Sequence, residues 1–309
     1  MKIAIIGTFQ VGKSTLVNCL LDDSLAGVGL GTPTTHTLNY YKNSHNPSIL
    51  CRDISGKCLC NTEWNDIERG WTIPQSTVRV MYGLPDSFDL HQNIFIDTPG
   101  LDASGKDAAW DTMITADIVR DNSVDLLILV ISNTQLDDTL KNTVLPLIKD
   151  SKKKLIVLMN CNQKGRSPDP AFSGNEKIAR QIDEELRFAG VIPCRITRLS
   201  KTRVLPCNVV WWWMSQSGKK KQFFLNEQTS HVFMERYQEV KNYYSIILSQ
   251  TMPDFETLQH KSNISHVFSY LRNPDMREML WDEDNPRLTS EQLKHQLKTN
   301  ISRGMAKYK

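Results

Sequence analysis

The fold of this chain is decided by residues 7–14, which read Gly7-Thr8-Phe9-Gln10-Val11-Gly12-Lys13-Ser14. They follow a short apolar run, Lys2–Ile6, and precede a segment with helical periodicity, so they form a glycine-rich turn between a strand and a helix. Glycines allow such a loop to curl so that its backbone N–H groups point inward at a phosphate chain. The helix that begins near Lys13 adds its N-terminal dipole. The stretch therefore predicts a phosphate-binding loop.

The side chains of this loop predict a nucleoside triphosphate as the ligand. Lys13 is expected to reach the β- and γ-phosphates, and the Ser14 hydroxyl is expected to ligate Mg²⁺. A plain glycine turn that joins a strand to a helix is the alternative. The full eight-residue pattern in a strand–loop–helix context argues against that alternative.

A second motif, Asp97-Thr98-Pro99-Gly100, comes directly after the apolar run Ile94–Ile96. A carboxylate at the end of a strand can hold a metal ion, usually through a water, and the Gly100 N–H can contact the γ-phosphate. Alone, the tetrapeptide is a common turn. Its place on the next long buried strand after the glycine-rich loop favours the metal-binding interpretation.

A third motif, Gly31-Thr32-Pro33-Thr34-Thr35-His36, lies between the first predicted helix and the next predicted strand. Thr35, or alternatively Thr34, is placed to close over Mg²⁺ and the γ-phosphate and so to report the triphosphate state. An ordinary loop rich in glycine, threonine and proline is the competing interpretation.

The distribution of apolar residues predicts an α/β fold with a mostly parallel sheet flanked by helices. Short runs rich in Ile, Val and Leu recur without alternation, as is typical of strands that are buried on both faces, and amphipathic segments lie between them. The predicted strands are Lys2–Ile6, Ile94–Ile96, Val124–Ser132 and Lys154–Met159. Helices are predicted after two candidate caps, a capping box at Ser173 and a second cap at Ser262.

Composition narrows the class of protein without naming a function. The chain has 309 residues, a net charge of +3 and 40% hydrophobic residues, as expected for a globular protein. This mild charge gives no reason to expect nucleic acid as a partner. Seven scattered cysteines favour a reducing compartment, and the longest apolar run is far shorter than the roughly 20 residues of a membrane span. We therefore expect a cytoplasmic protein.

The three motifs together resemble those of the P-loop GTPases, in the branch that holds septins, translation-associated G proteins and dynamins. Phe9-Gln10 before Val11–Leu16, and the Pro33-Thr34-Thr35 segment, are most similar to bacterial dynamin-like GTPases. The 62 residues that separate Thr35 from Asp97 also fit the enlarged G domain of dynamins. The resemblance implies a Mg²⁺-dependent switch that converts GTP to GDP. It further implies activation by a nucleotide-dependent homodimer of G domains or by a hetero-partner.

The resemblance also implies roles for individual residues. The expected catalytic residues are Lys13, Gln10, Thr35 and Gly100. The residues expected to contact the nucleotide are Gly7, Phe9, Gln10, Val11, Gly12, Lys13, Ser14 and Thr15. The metal is expected at Ser14, Thr35 and Asp97, with Asp97 acting through a water and Thr34 as the alternative to Thr35. Leu101 stands where small signalling G proteins carry a water-orienting glutamine. Gln10, a backbone carbonyl of Thr34 or Thr35, or a partner's group must then position the water.

The base-reading motif departs from the family pattern. Such GTPases carry N/T-K-x-D after the fifth strand, whereas Lys154–Met159 runs into Asn160-Cys161-Asn162-Gln163. Asn160 matches, but Gln163 replaces an aspartate that accepts two hydrogen bonds from guanine, and a glutamine amide offers one acceptor and one donor. We expect GTP ahead of ATP, with a weakly hydrolysing regulatory or scaffold protein of relaxed base specificity as the alternative. Ser200 and Lys201 are the candidates for the last base motif, although a chance Ser-Lys pair fits equally.

We expect a G domain over residues 1–205, with an insertion at about 45–90, and a helical extension over 206–309. Trp211-Trp212-Trp213 near Lys219–Lys221 fits either an anionic membrane surface or packing between the domain and the extension. Packing is favoured because three consecutive tryptophans cannot share one helix face. The 104 residues after 205 are too few for a dynamin stalk, so a peripheral membrane role would need partner chains.

Overall fold

The computed structural model describes residues 1–21, 25–26, 37–63, 73–101, 108–134, 136–163, 165–198, 200–215 and 262–283. Within these residues the strands are β1 Lys2–Gly7, β2 Leu38–Asn43, β3 Ser48–Arg52, β4 Cys58–Glu63, β5 Arg79–Leu84, β6 Ile94–Asp97, β7 Leu126–Ser132, β8 Lys154–Asn160 and β9 Val204–Cys207. The helices are α1 Lys13–Leu21, α2 Ala108–Arg120, α3 Leu145–Ser151, α4 Ser173–Phe188, α5 Val209–Ser215, α6 Ile264–Arg272 and α7 Pro274–Glu283. A π-helical turn, Leu140–Val144, directly precedes α3.

All nine described strands form one sheet in the order β4-β3-β5-β2-β6-β1-β7-β8-β9. The half from β6 to β9 is parallel throughout, while β2 runs antiparallel to β6. Because the carboxyl ends of parallel strands meet at one edge, the loops after β1, β6 and β8 lie side by side. This edge carries the predicted phosphate, metal and base motifs.

Two hydrophobic cores sandwich the sheet, because its central strands are apolar on both faces. The first face packs on α1, α5, α6 and α7, with Ile3 and Ile5 of β1 among its buried residues. The second face packs on α2, α3 and α4, with Ala4 and Ile6 of β1 among its buried residues. The α/β architecture predicted from the sequence is confirmed.

Residues 45–90, for which an insertion is predicted, contribute the strands β3, β4 and β5 to the main sheet. β3 and β4 form an antiparallel hairpin, and β3 also pairs with β5, which lies parallel to β2. The last strand, β9, escaped prediction because Pro206 lies within it. Proline is tolerated there since β9 is the edge of the sheet and pairs only with β8 among the described strands.

Both helix caps predicted from serine were wrong. Ser173 is the first residue of α4, and Phe172 occupies the cap position in an extended conformation without a side-chain hydrogen bond. Asn263, with φ +61°, precedes α6 in place of Ser262, whose side chain is buried. At α6 a tertiary hydrogen bond, from the Asn263 Nδ2 to the Pro206 carbonyl of β9, fixes the entry of the chain, whereas at α4 the Phe172 carbonyl accepts from the N–H groups of Asn175 and Glu176.

Strand β9 spans residue 205, and the helix that follows it, α5, packs on α1. In α5, Trp211 and Trp213 are buried, and the ring of Trp212 lies 5.1 Å from that of Phe268 in α6. The packing interpretation of these tryptophans is therefore confirmed. Lys219–Lys221 lie outside the described residues, as do residues 216–261 and 284–309 of the predicted helical extension. No helix in the described part of the chain has the length and apolarity that a bilayer crossing requires.

Candidate nucleotide-binding site

The loop between β1 and α1 has the curled backbone that a phosphate cradle needs. Gly12 has φ +97° and Gln10 has φ +60°, and both values lie in the left-handed region that glycine adopts most easily. Gly7 is required for space as well, because a Cβ at this position would lie 2.2 Å from the Val130 carbonyl oxygen of β7. The glycines of the motif are thus explained by the tight contact between this loop and its neighbours.

Lys13 lies under the loop as a buried cation. Its side chain is 7% exposed, and its Nζ donates a hydrogen bond to the Thr8 carbonyl at 2.8 Å. Burial lowers the pKa of Lys13 to about 8, although the nearby carboxylates of Asp97 and Asp111 act in the opposite direction. The ammonium therefore faces a water-poor site in which an added anion would stabilise it.

Asp97 ends β6 next to β1 and is fully buried. One of its oxygens accepts a hydrogen bond from the Ser14 hydroxyl at 2.9 Å, while its Oδ1 has no hydrogen-bond partner among the described residues. Burial raises the pKa of Asp97 to about 6, against the opposing effects of Lys13 and the Ser14 hydrogen bond. A buried carboxylate oxygen in this condition fits a site for a cation.

The segment after Asp97 runs along the phosphate-binding loop. The Phe9 N–H donates to the Leu101 carbonyl at 2.7 Å, and the Leu101 N–H donates to the Gly7 carbonyl at 3.2 Å. A Cβ on Gly100 would lie 3.4 Å from the Lys13 Nζ, so Gly100 is close to the catalytic candidates. The Leu101 side chain is fully buried, and it therefore has no access to a water at the phosphates.

Asn160 connects the phosphate-binding loop to the predicted base-binding region. Its Nδ2 donates to the Val11 carbonyl at 2.8 Å, and its Oδ1 accepts from the Val209 N–H at 3.2 Å. Asn162 adds a longer hydrogen bond, 3.3 Å, from its Nδ2 to the Gln10 carbonyl. Asn160 is fully buried, so both of its hydrogen bonds contribute to the geometry of this edge.

Gln163 is exposed at the same edge, and its position is set by its backbone rather than its side chain. The Gln163 N–H donates to the buried Asn133 Oδ1 at 3.1 Å, and the Asn133 Nδ2 donates to the Asn175 Oδ1 at 3.0 Å. Asn175 in turn donates to the carbonyls of Ser167 and Asp169. This amide network fixes the loop after β8 and leaves the Gln163 side chain facing outward.

Ser200 and Lys201 lie in a different environment from the residues above. They precede β9, and they line a cavity of about 270 Å³ that also includes Pro170, Glu176 and Arg180. The Ser200 hydroxyl donates locally to the Thr202 carbonyl at 2.9 Å. In the described part of the chain, no hydrogen bond joins the Ser200 or Lys201 side chain to the phosphate-binding loop or to Asn160. Thr34 and Thr35 lie outside the described residues.

Sequence reasoning missed the residues that follow β9, namely Asn208 and Val209. Asn208 Nδ2 donates to the Pro168 carbonyl at 2.8 Å, which connects this segment to the loop after β8. The Val209 N–H contacts Asn160 as described above, and its carbonyl accepts a hydrogen bond from the Cys19 thiol at 3.2 Å. The apolar run Val204–Cys207 is the sequence signal for this strand. It predicts an edge strand once the proline within it is taken as a feature that edge strands tolerate.

The curled loop lies over Lys13, Ser14 follows in α1, and Asp97 ends the adjacent parallel strand β6. Together these features define a P-loop nucleotide-binding domain of the GTPase class. Residues 2–161, just over half of the chain, match the family model of the 50S ribosome-binding GTPases, and the chain belongs to this GTPase family. The prediction of a P-loop GTPase is confirmed, and its dynamin-like branch stays a prediction.

Several solved structures are similar to the chain at low identity. A protein of an oligomerised bacterial dynamin pair, described as sensing and tethering membranes over long range, matches 84% of this chain and 36% of its own at 17% identity, with a TM-score of 0.44. Era from Aquifex aeolicus, bound to GDP and AlF4⁻, matches 72% and 55% at 18% identity, with a TM-score of 0.38. Toc33 from Arabidopsis thaliana, in complex with Mg²⁺ and GMPPNP, matches 68% and 70% at 15% identity, with a TM-score of 0.36.

The aligned part thus spans about a third of the bacterial dynamin and about half of Era. No curated protein sequence matches the chain significantly.

Proposed function

We propose that this chain binds GTP with Mg²⁺ and hydrolyses it as a dynamin-like switch of the cytoplasm. The observation that carries the proposal is the trio of buried Lys13, partly buried Ser14 and buried Asp97 below a curled glycine-rich loop. The Lys13 ammonium is suited to bind phosphates, and the Ser14 hydroxyl with the Asp97 carboxylate is suited to bind a metal ion. Phosphoryl transfer needs both kinds of group.

The residues present fit a magnesium ion. Asp97 Oδ1 is buried without a hydrogen-bond partner among the described residues, and oxygen ligands of this kind are the ones that Mg²⁺ prefers. Ser14 and Asp97 would hold the ion, Asp97 through a water, and Thr35 or Thr34 is the further candidate from sequence. When bound, the ion neutralises charge on the phosphate oxygens.

The chain's own groups account for phosphate binding, and they exclude residue 101 as the group that orients the attacking water. Backbone N–H groups of the loop and of Gly100, together with the Lys13 ammonium, bind and orient the phosphates. Leu101 is buried and apolar, so it does not orient the attacking water. Gln10, a carbonyl of Thr34 or Thr35, or a group from a second molecule has that role, which is why we propose activation by self-association or by a partner.

Base recognition is the weaker half of the proposal. Asn160, the last residue of β8, is hydrogen-bonded to the Val11 carbonyl of the phosphate-binding loop and supports our proposal of GTP, whereas Gln163 is exposed and neutral. That single observation favours a second candidate function, a nucleotide-binding regulatory or scaffold protein with relaxed base specificity. A membrane role gains no support from Trp211 and Trp213, because both side chains are buried.

Multiple-turnover phosphate release with GTP and with ATP tests the proposal directly. We expect Lys13→Ala to lower the rate with GTP by at least about 100-fold, because a positioned charge at the transferred group is lost. Lys177→Ala, at an exposed position of α4, is the matched control and should leave the rate unchanged. A rate per molecule that rises with protein concentration would support self-association.

Two outcomes would contradict the proposal in different ways. If the rate of phosphate release from GTP does not depend on Lys13 at any protein concentration, the chain is not a GTPase that uses this site. Equal affinity for ATP and GTP would remove the guanine preference and favour the regulatory alternative.

A further inference from the structure

A cationic cup of about 420 Å³ lies on the part of the sheet that the insertion adds. We use the name cationic cup for the concavity lined by Lys2, Tyr40, Lys42, Arg52, Gly56, Arg79, Met81 and Ile94. Strand register shows that these side chains share one face, because Tyr40 pairs with Met81, Arg52 pairs with Arg79 and Lys2 pairs with Ile94. This face is continuous with the second core, against which Tyr40 packs.

The cup is separate from the phosphate-binding loop. Lys2 and Ile94 are the first residues of β1 and β6, whereas Gly7 and Asp97 are the last residues of the same strands. The length of β1 therefore places the cup and the loop roughly 15 Å apart, at opposite ends of the strands. A ligand in the cup and a nucleotide in the loop occupy different sites.

Among the described residues, the charges that line the cup have one sign. Two arginines and two lysines contribute to this lining, and no carboxylate of the described residues does. Arg52 and Arg79 are direct neighbours across antiparallel strands, an arrangement of like charges that destabilises a sheet. Arg52 donates to the Gly56 carbonyl at 2.6 Å, and the Lys2 ammonium donates to Ser123 at 2.7 Å. Such an unfavourable juxtaposition is relieved by an anion between the two guanidinium groups.

The side chains of Lys42 and Arg79, which lie on β2 and β5, have neither a hydrogen bond nor an ion pair to any described residue. Lys42 is half-buried and Arg79 is exposed, so both are reachable by a ligand. Guanidinium and ammonium groups in this condition bind phosphate oxygens well, since the guanidinium fork matches the phosphate geometry. The positive rim of the cup therefore points to a phosphorylated ligand.

The floor of the cup is apolar and larger than a phosphate group needs. Tyr40, Met81 and Ile94 are each partly exposed there, and Tyr40 offers an aromatic surface. A volume of about 420 Å³ lies in the range of small-molecule sites, which combine an apolar lining with a few charged groups. A flat heterocycle on this floor, with its phosphates at the rim, satisfies both halves of the site.

We propose that the cationic cup is a second nucleotide-binding site, which takes a nucleoside diphosphate or triphosphate independently of the P-loop. The base stacks on the floor formed by Tyr40, Met81 and Ile94, and the phosphates lie among Lys42, Arg52 and Arg79. The lysines and arginines of the described lining neutralise the phosphates, so we expect binding there without Mg²⁺. A nucleic-acid chain and an anionic membrane are the rival occupants, and a concavity of this size favours a single nucleotide over either.

The test separates the two sites by chemistry. Lys13→Ala protein in EDTA is titrated by calorimetry with GDP and ADP, under conditions that disfavour the P-loop. We expect binding near one nucleotide per chain, which the added double substitution Lys42→Gln and Arg79→Gln weakens by at least about tenfold. The matched control replaces Arg120 and Lys177, which are exposed on α2 and α4, with glutamine and should change the affinity less than about twofold. Circular dichroism verifies that each variant is folded.

Any of three results would overturn the proposal. The first is no nucleotide bound by the Lys13→Ala protein in EDTA. The second is binding that the cup substitutions and the control substitutions affect equally. The third is cup-dependent binding of single-stranded RNA oligonucleotides, or of vesicles with phosphatidylserine, without binding of free nucleotides. None of these results depends on hydrolysis, so the inference stands or fails separately from the proposed function.

Discussion

The two ends of the candidate nucleotide site are built from different chemistry. At the phosphate end, Lys13 and Asp97 are buried charges, and the loop above them has left-handed backbone at Gly12. At the base end the polar side chains are neutral amides, and Asn160 is hydrogen-bonded to the backbone of Val11 and of Val209. The phosphate end conforms to its family motif, whereas the base end departs from it.

This difference follows from what each end must bind. Phosphates and a metal carry high charge, so they demand a fixed cation, a carboxylate and inward backbone N–H groups, and few residue types meet those demands. A base is neutral and is recognised by hydrogen bonds that several side chains can supply in altered geometry. The base end therefore tolerates substitution more readily than the phosphate end does.

Gly12→Ala should have the largest effect, because it damages both ends at once. A Cβ on Gly12 would lie 2.6 Å from the Asn160 Nδ2 and 3.1 Å from a methyl of Val209, at φ +97°. We expect nucleotide affinity to fall by about 100-fold, since the loop and Asn160 must move apart. Gly165→Ala is the control in fluorescence titrations, because Gly165 has φ +79° with open space around it. Equal losses in the two variants would show that backbone strain alone is responsible.

Asn160→Ala tests whether the base end supports the phosphate end. Two buried hydrogen bonds disappear, and the Val11 carbonyl and Val209 N–H lose their partner, so the free energy of unfolding should fall by about 2–4 kcal/mol. Urea denaturation measures this change. Asn162→Ala, which removes one longer bond at a partly exposed position, should cost about 1 kcal/mol or less. Similar values for both variants would argue that Asn160 does not connect the two ends.

Gln163→Asp asks whether the base end can be returned to the family pattern. A carboxylate accepts both guanine hydrogen bonds and strengthens them by its charge, so the ratio of GTP to ATP affinity should rise about tenfold. Competition binding measures the ratio, with Gln181→Asp on the exposed side of α4 as the control. An unchanged ratio would mean that the side chain at 163 does not reach the base.

The smallest expected effect is a pH dependence at α6, which supports the base end through a hydrogen bond from Asn263 to the Pro206 carbonyl. Burial lowers the pKa of His266 below its ordinary value of 6.5. As the pH falls through about 6.5, the unfolded chain binds the proton before the folded chain does, so this residue makes the folded state less stable. His266→Gln should therefore lose stability less steeply than the wild type between pH 7 and 5 in thermal melts. The exposed His45→Gln is the control, and identical slopes for all three proteins would contradict the prediction.

Much of the molecule followed from local pattern. The strands that flank the phosphate-binding loop, Lys13, Ser14 and Asp97 were all found from sequence, because buried parallel strands have continuous apolar runs and the motif has few alternatives. The caps at Ser173 and Ser262 were wrong, because a neighbouring residue, Phe172 or Asn263, occupies each cap position, and neither makes a side-chain capping hydrogen bond. The strand β9 was missed because an edge strand tolerates a proline that a central strand excludes.

The sequence by itself determined the chemistry at the phosphates, because glycines, a lysine, a serine and an aspartate at that spacing have one common use. Only the tertiary structure decided which residues meet at the base end. It placed Val209 against Asn160, 49 residues away along the chain, and it placed Ser200 and Lys201 elsewhere. It also aligned Arg52 with Arg79 in the cationic cup. The physical reason is the same in each case: strand register and sheet order bring distant residues together, and no local spacing encodes either.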